Sequence, residues 1–319
     1  MASSALPTLR RALLYVPAVN PRFLTKSLGI AADNVTYDLE DSVTEATKPA
    51  ARKALQEHLA SLPNQAQQPA FNEVAVRINA VSTRHALDDI RAVAAYPALQ
   101  ALVIPKVNSA ADLALVDDAI RAAAPHRATP IRLLALVESA RAVMDLRAIC
   151  DAGASRHLRG LIFAAEDFAR DLSLTRTVPM TEMLYARSAV VTAARAFELE
   201  SAIDVVCTVT PGVPGNPRLV DECQQGRGMG FNGKQCVHPA QVDTVQRYFS
   251  PSQAEIDWAT RIVVANEKAS IAGRGAWTLD GKMIDAPVVG AAQGLLDKAK
   301  RCGLDIDATR EKFKEVAPE

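Results

Sequence analysis

The chain has 319 residues, 49% of them hydrophobic and 23% charged. That is too long for one small domain and apolar enough for a sizeable core, so it fits one large α/β domain with an appendage, or two domains. Lys plus Arg and Asp plus Glu number 36 each, so the formal net charge is zero, which argues against bulk attraction to nucleic acid or to an anionic membrane.

The opening segment, MASSALPTLRR, has no apolar h-region, so secretion is not expected. It contains Ser and Arg and no acid, as mitochondrial transit peptides do, but a strand starting at Ala12 leaves too little chain for one. The cytoplasm is the expected location, ahead of the mitochondrial matrix. Apolar, β-branched runs then recur: ALLYVP (12–17), NVTYDLED (34–41), EVAVRIN (73–79), ALVIPKV (101–107), IRLLALVES (131–139), LRGLIFAAED (158–167), AIDVVCT (202–208) and GFNGKQCVHP (230–239), the last the least strand-like. Between them lie segments of helical period, such as DLALVDDAIRAAA (112–124) and EMLYARSAVVTAARAFELE (182–200), and two surface loops, SLPNQAQQPAFN (61–72) and TPGVPGNP (210–217). Continuous apolar strands alternating with amphipathic helices imply a parallel sheet covered on both faces. Eight such units match a (β/α)8 TIM barrel, with a doubly wound open sheet as the alternative.

After Ser250 the pattern changes to a helix, then a turn-rich stretch, GRGAWTLDGKMIDAP, that reads as a hairpin or lid, then a last helical segment, VVGAAQGLLDKAKRCG. The expected division is a catalytic barrel over 1–249 and a C-terminal extension and lid over 250–319. The extension is expected to be too small for a core of its own and to pack on the barrel or on a neighbouring subunit. No run of about 18 apolar residues exists, so no transmembrane helix is expected. Five scattered cysteines (Cys150, Cys207, Cys223, Cys236, Cys302) without CxxC spacing read as reduced core thiols.

Nearly every strand ends in a polar residue: Tyr15, the Asp38/Glu40/Asp41 group, Arg77, Lys106, Glu138, Glu166/Asp167, Thr208 and His238. In a barrel these ends converge on one face, where active sites sit. Glu138 and Asp167 follow consecutive strands. Two carboxylates converging at one mouth suit Mg2+, and the alternative is that each caps a helix or pairs with an Arg. Arg77 ends a buried strand and needs a partner. It is either a structural ion pair with Glu40 or Asp41, or a bidentate clamp on a substrate carboxylate or enolate oxygen, or both. Tyr15, Arg22 and Lys26 surround the first strand–helix junction, an anion site or a solvated face. GMGFNGKQCVHP lacks Walker-loop spacing, and His238, without a His or acid at ligand spacing, reads as a hydrogen-bonding structural residue. Asp285 before Ala-Pro reads as a turn former.

Taken in order, RRALLYVPAVNPRFLTK, YDLEDSVTEATKPAAR, VRIN, VIPKV, LVES, IFAAEDFARDL, LYARSAVVTAARA, GMGFNGKQCVHPAQVDTVQRYFSPS and GRGAWTLDGKMIDAPVV resemble the citrate lyase β-subunit-like family of the HpcH/HpaI aldolase/citrate lyase superfamily, over nearly the whole chain. The full tail motif points to its citramalyl-CoA and malyl-CoA lyase branch. The resemblance implies a (β/α)8 barrel, Mg2+ (or Mn2+), a coenzyme A thioester substrate with a 2-keto acid, and a homotrimer or dimer of trimers, with no nucleic acid or membrane partner. It implies Glu138 and Asp167 as metal ligands, Arg77 on the thioester carbonyl or keto acid, and Glu40 and Asp41 orienting Arg77. Tyr15, Arg22 and Lys26 would bind the CoA end, with Val237 and His238 in the same cleft. Asp285 would be the catalytic acid/base, delivered by a neighbouring subunit's tail. The implied reaction is carbon–carbon cleavage, or Claisen condensation, of a 3-hydroxyacyl-CoA. The alternatives are a malyl-CoA thioesterase, a citrate lyase β subunit acting on a carrier-protein thioester, and a non-catalytic CoA- or metabolite-binding barrel. Two departures stand out: Ala18 replaces the usual Gly after Val-Pro, and TVTPGVPGNP replaces the usual sequence after strand seven.

Overall fold

The structure, a computed structural model, describes residues 8–62, 70–209 and 216–319. Most of the two loops at 61–72 and 210–217, and the start of the opening segment, lie outside the described residues. The chain divides into two compact units, Met1–Gln246 and Arg247–Glu319.

In the first unit eight strands close into a barrel in sequence order: β1 (Ala12–Pro17), β2 (Asn34–Asp38), β3 (Glu73–Arg77), β4 (Ala101–Ile104), β5 (Arg132–Val137), β6 (Leu158–Phe163), β7 (Ser201–Asp204) and β8 (Gly233–Cys236). The β1–β8 ladder, with Leu13 beside Gln235 and Leu14 beside Cys236, excludes the open sheet. Helices alternate with the strands, as in Ala110–Ala123 and Leu184–Ala196. Leu13, Ala75, Ala101, Val103, Leu134, Leu136, Ile162 and Ile203 fill the barrel interior.

The strands are shorter than their apolar runs. β6 ends at Phe163, the residue paired with Val137, and the helix Ala165–Leu172 follows at once. Glu166 and Asp167, expected at the end of the strand, therefore lie in the first turn of that helix, where unpaired backbone N–H groups favour carboxylates. A barrel strand lasts only as long as its neighbours pair with it, which apolar character alone does not report.

Arg247–Glu319 has a core of its own, contrary to the expectation from its length. Helices Gln253–Ile271 and Ala286–Arg301 meet through small residues (Ala259, Ala265, Ala269, Ala292, Ala299), and a hairpin covers them with Trp277, Leu279 and Ile284. Ile256, Ile262, Leu296 and Ile306 complete this core. The predicted hairpin is β9 (Trp277–Leu279) against β10 (Lys282–Ile284), turned by Asp280 and Gly281 at φ 51° and 69°. Two positive-φ residues suit the twist of a two-residue hairpin turn. Ser252 and Glu255 form a capping box at the start of Gln253–Ile271. Among the described residues no helix is long and apolar enough to cross a membrane. All five cysteines are free thiols, and all but Cys302 are buried.

At the N-terminal ends of the strands, Glu73 is the hub of a buried ionic network. It accepts from Arg10 Nε and Nη2 at 2.6 and 2.7 Å and from Asn34 Nδ2 at 2.7 Å, and Arg132 lies 3.3 Å away. Burial alone would raise its carboxyl. The hydrogen bonds and charge of Arg10, with Asn34 and Arg132, outweigh burial and hold it below its ordinary value. Removing one partner strands the others. Glu73→Gln is expected to destabilise the chain by about 3–5 kcal/mol in urea unfolding; a loss below about 1 kcal/mol would show that the network is replaceable. Because the folded carboxyl binds its proton less readily than the unfolded one, the Glu73 contribution is present above the ordinary carboxylate range. It fades as pH falls through the depressed folded value, and the wild-type advantage over Glu73→Gln should shrink in the same direction.

Candidate active site

The side-chain alternation that fills the barrel also builds its mouth. Leu13 leads to Tyr15, Ala75 to Arg77 and Leu136 to Glu138, each two residues on and therefore on the same inward face. Thr36 leads likewise to Asp38 on β2.

Arg77 and Asp38 are lateral partners in the β2–β3 register. Asp38 accepts from Arg77 Nε at 2.7 Å and Nη2 at 2.8 Å, a bidentate pair with both residues largely buried. Asp38 also accepts from the Glu40 N–H and from the Ser42 hydroxyl, so it fixes the turn after β2 as well. Burial pushes the Asp38 carboxyl up, and the charge and hydrogen bonds of Arg77, with Ser42, outweigh it and hold the group below its ordinary value. The other guanidinium edge, Nη1, lies 3.0 Å from Glu40 Oε2 and 3.3 Å from Asp41 Oδ2. The Tyr15 ring lies beneath the guanidinium, 4.7 Å from its central carbon. Gln235 crosses the mouth, accepting from Tyr15 Oη at 3.1 Å and donating to the carbonyls of Phe163 and Asp204.

Lys106 follows β4 in the left-handed region at φ 53°, at a cost of about 1–2 kcal/mol for a residue with a Cβ. Its ammonium donates to Glu40 Oε1. Burial and the charge of Asp41 leave Glu40 above its ordinary value in spite of Arg77 and Lys106.

Glu138 and Asp167 lie where two cavities meet. One, of about 420 Å³, is lined by Tyr15, Asp38, Arg77, Gln235 and Val237. The other, of about 720 Å³, is lined by Ser82, Lys106, Asn108, Ser139 and Arg170. Both carboxylates line both. Glu138 is 4% exposed, and its Oε2 is buried without a hydrogen-bond partner among the described residues. Burial first, then the charges of Glu40 and Asp167, push its carboxyl up to about 8, although Lys106 and Arg77 oppose this. Asp167 holds Arg170 at 2.5 Å. A buried, unsatisfied carboxylate beside a second one is a place that lacks positive charge. Two oxygen donors suit a hard cation that keeps water in its remaining positions. No set of three or more His, Cys, Asp or Glu side chains that could hold a metal occurs among the described residues, so the protein would supply this pair alone.

Glu166, the other acid of its turn, is bound by Arg176, which also reaches Val206 O and Glu222. Arg22 and Lys26 are exposed on the helix Pro21–Ser27 and are not among the cavity-lining residues. His238 Nδ1 accepts from the Ala240 N–H at 3.1 Å, capping a turn at Pro239–Gln241, which is the structural role read from its isolation. Ala18 is buried, with its N–H on Asp38 O at 3.1 Å. In the second unit Asp285 caps Ala286–Arg301 by accepting from the Val288 N–H at 3.2 Å. The sequence reading assigned no role to Asp38, Lys106 or Gln235. Asp38 carried a signal, since it shares the inward parity of Thr36, but only the register places it beside Arg77.

The chain matches the HpcH/HpaI aldolase/citrate lyase family over residues 11–239. It is 32% identical over 300 residues to citrate lyase subunit beta of Escherichia coli (strain K12), covering 92% of this chain and 95% of that protein. It is 31% identical to the mitochondrial citramalyl-CoA lyase of Homo sapiens, covering 91% of this chain and 85% of that one. The crystal structure of CitE from Mycobacterium tuberculosis in complex with magnesium, acetoacetate and coenzyme A superposes with a TM-score of 0.72 at 30% identity, over 92% of this chain and 98% of that one. The chain belongs to the HpcH/HpaI aldolase/citrate lyase family, and by that membership is a lyase.

The burial difference between the acids around Arg77 is measurable. Asp38 is 1% exposed at its side chain and Asp41 is 59% exposed. Asp38→Asn is expected to cost about 3–5 kcal/mol in chemical unfolding and Asp41→Asn less than about 1 kcal/mol. Equal losses would mean that Asp38 is not the main support of Arg77.

Proposed function

We propose that this member of the HpcH/HpaI aldolase/citrate lyase family cleaves a 3-hydroxyacyl-CoA, of the citramalyl-CoA or malyl-CoA type, into an acyl-CoA and a 2-keto acid, and catalyses the reverse condensation. The observation that carries this reading is the buried Oε2 of Glu138, without a hydrogen-bond partner among the described residues, in a cavity that Asp167 and Arg77 also line. The magnesium, acetoacetate and coenzyme A held by the M. tuberculosis relative and the name of the human relative support it.

Glu138 and Asp167 would hold Mg2+, with Mn2+ as a substitute. Bound there, the ion supplies Lewis-acid polarisation of the hydroxyl or keto oxygen. In cleavage the hydroxyl gives up its proton, the carbon–carbon bond breaks, and its electron pair passes into the acyl-CoA as an enolate. The keto acid departs, and the enolate carbon then takes a proton. Arg77, with Nε and Nη2 committed to Asp38, offers its Nη1 edge to an anionic oxygen of the substrate, the enolate oxygen of the thioester or the keto acid. A preorganised cation at that position is worth roughly 10²–10³ in rate. Tyr15, Arg22, Lys26, Val237 and His238 are the proposed groups for the CoA thioester, and Glu40 and Asp41 orient Arg77 together with Asp38.

Asp285 is the proposed acid/base that moves the proton at the α-carbon. A carboxylate is a weak base, so closure over the site must desolvate it and raise its affinity for the proton. We propose that it arrives on the tail of another copy, in a homotrimer or a dimer of trimers, with 1–249 as the catalytic barrel and 250–319 as extension and lid, and that the protein works in the cytoplasm.

Mass spectrometry tests the reaction. Acetyl-CoA or propionyl-CoA, incubated with glyoxylate, pyruvate or oxaloacetate and Mg2+, should give the hydroxyacyl-CoA. A hydroxy acid and free CoA from the thioester would identify a thioesterase instead. Inertness of every free CoA substrate would favour a carrier-protein thioester or a non-catalytic barrel. Glu138→Gln and Asp167→Asn are expected to abolish Mg2+ binding in calorimetry. Asp285→Asn should abolish turnover with Mg2+ binding intact, and near-normal kcat in that variant would remove Asp285 from the mechanism.

A further inference from the structure

Lys106 has a geometry that the proposed chemistry does not by itself require. Ala101 and Val103 point into the barrel, so in an extended chain Lys106 would leave on the outward face with Leu102 and Ile104. Its left-handed backbone breaks that alternation, and Nζ reaches Glu40 Oε1 at the end of β2.

Glu40 is thereby divided between two cations. Its Oε1 takes Lys106, while its Oε2 lies 3.0 Å from Arg77 Nη1 yet is buried with no hydrogen bond among the described residues. A carboxylate oxygen this near a guanidinium nitrogen but off its N–H directions is being held aside. The main chain of Glu40 is pinned by its N–H on Asp38 Oδ1 at 2.9 Å, so only side-chain rotation could align it. Lys106 is the group that opposes this rotation. Without it Glu40 would keep one close cation, Arg77, and would turn onto Nη1. Asp38 already occupies Nε and Nη2, and Asp41 accepts one N–H of Nη1 at 3.3 Å. The guanidinium would then be saturated by the protein's own carboxylates.

We propose that Lys106 is a positioning residue for Arg77: by holding Glu40 Oε1 it keeps that carboxylate from closing on Nη1, and the Nη1 N–H that Asp41 does not take stays open to an anionic oxygen of the substrate. The proposal rests on the reading of Arg77 as the group that receives such an oxygen. Lys106 need not touch the substrate.

The test compares Lys106→Met, Lys106→Arg, Glu40→Gln and the double variant Lys106→Met/Glu40→Gln. Two readouts are used: kcat and KM for the hydroxyacyl-CoA, and calorimetric affinity for pyruvate in Mg2+ without any CoA compound. Lys106→Met is expected to lower kcat and pyruvate affinity about 10-fold or more, with KM for the thioester within about 3-fold, and Lys106→Arg should restore most of the loss. The double variant should recover most of what Lys106→Met loses, because a neutral amide no longer competes for the guanidinium. A merely structural lysine would instead give additive losses. Lys106→Gln replaces the Met variant if that chain does not fold. A wild type that turns nothing over, yet whose pyruvate affinity follows this pattern, would sink the lyase reading and keep the positioning role. An unchanged Lys106→Met, a double variant no better than the single one, or a wild type that neither turns over nor binds pyruvate overturns the proposal.

Discussion

A guanidinium that must stay charged while nearly enclosed by protein sets the terms at the mouth of this barrel. Arg77 cannot shed its proton, so the surroundings supply carboxylates: Asp38 on two of its nitrogens, Asp41 on the third, and Glu40 close to that third nitrogen without a hydrogen bond to it. Those acids would repel Glu138 and Asp167 across the same space, and Lys106 offsets only part of that repulsion. The rim is left with more acid than its own cations neutralise. Glu138 sits beside that excess: burial first, then the charges of Glu40 and Asp167, push its carboxyl up to about 8, and its Oε2 has no hydrogen-bond partner among the described residues.

The two ends of the same strands use ionic groups differently. At the N-terminal end, Arg10, Glu73, Asn34 and Arg132 satisfy one another and leave little unpaired. At the C-terminal end the pairing is incomplete. Complete networks rigidify, whereas incomplete ones remain available to a ligand. This matches the division of labour in barrels, with stability at the bottom face and chemistry at the top. Glu166 and Asp167 show the same contrast within one turn: Arg176 ties Glu166 to the end of β7, while Asp167 lines both cavities.

Much of this was legible before any coordinates. The apolar runs marked eight strands, and the polar residue ending each run marked the mouth, because burial on both faces leaves a strand no other place for charge. Ser252 sits at a helix start, as the Ser/Pro stretch before it suggests, whereas Asp285, read as a turn former, caps the helix Ala286–Arg301 instead. Less legible was where strands stop. LRGLIFAAED reads as one apolar run, but pairing with β5 ends at Phe163 and helix geometry takes over. The extension's core was also hidden, because its interior is assembled from two helices and a hairpin whose apolar residues are separated along the chain.

The sequence by itself determined eight parallel strands alternating with helices, their inward face and the chemical types at their ends, since these follow from period and burial along each strand; the β1–β8 pairing closed them into a barrel. Only the tertiary structure decided who partners whom. Asp38, not one of its neighbours in YDLED, takes the Nε and Nη2 donors of Arg77 because the β2–β3 register sets them side by side. Lys106 reaches Glu40 because one residue adopts a left-handed backbone. Register and a single backbone angle are set by contacts between segments distant in sequence, and no local pattern encodes them.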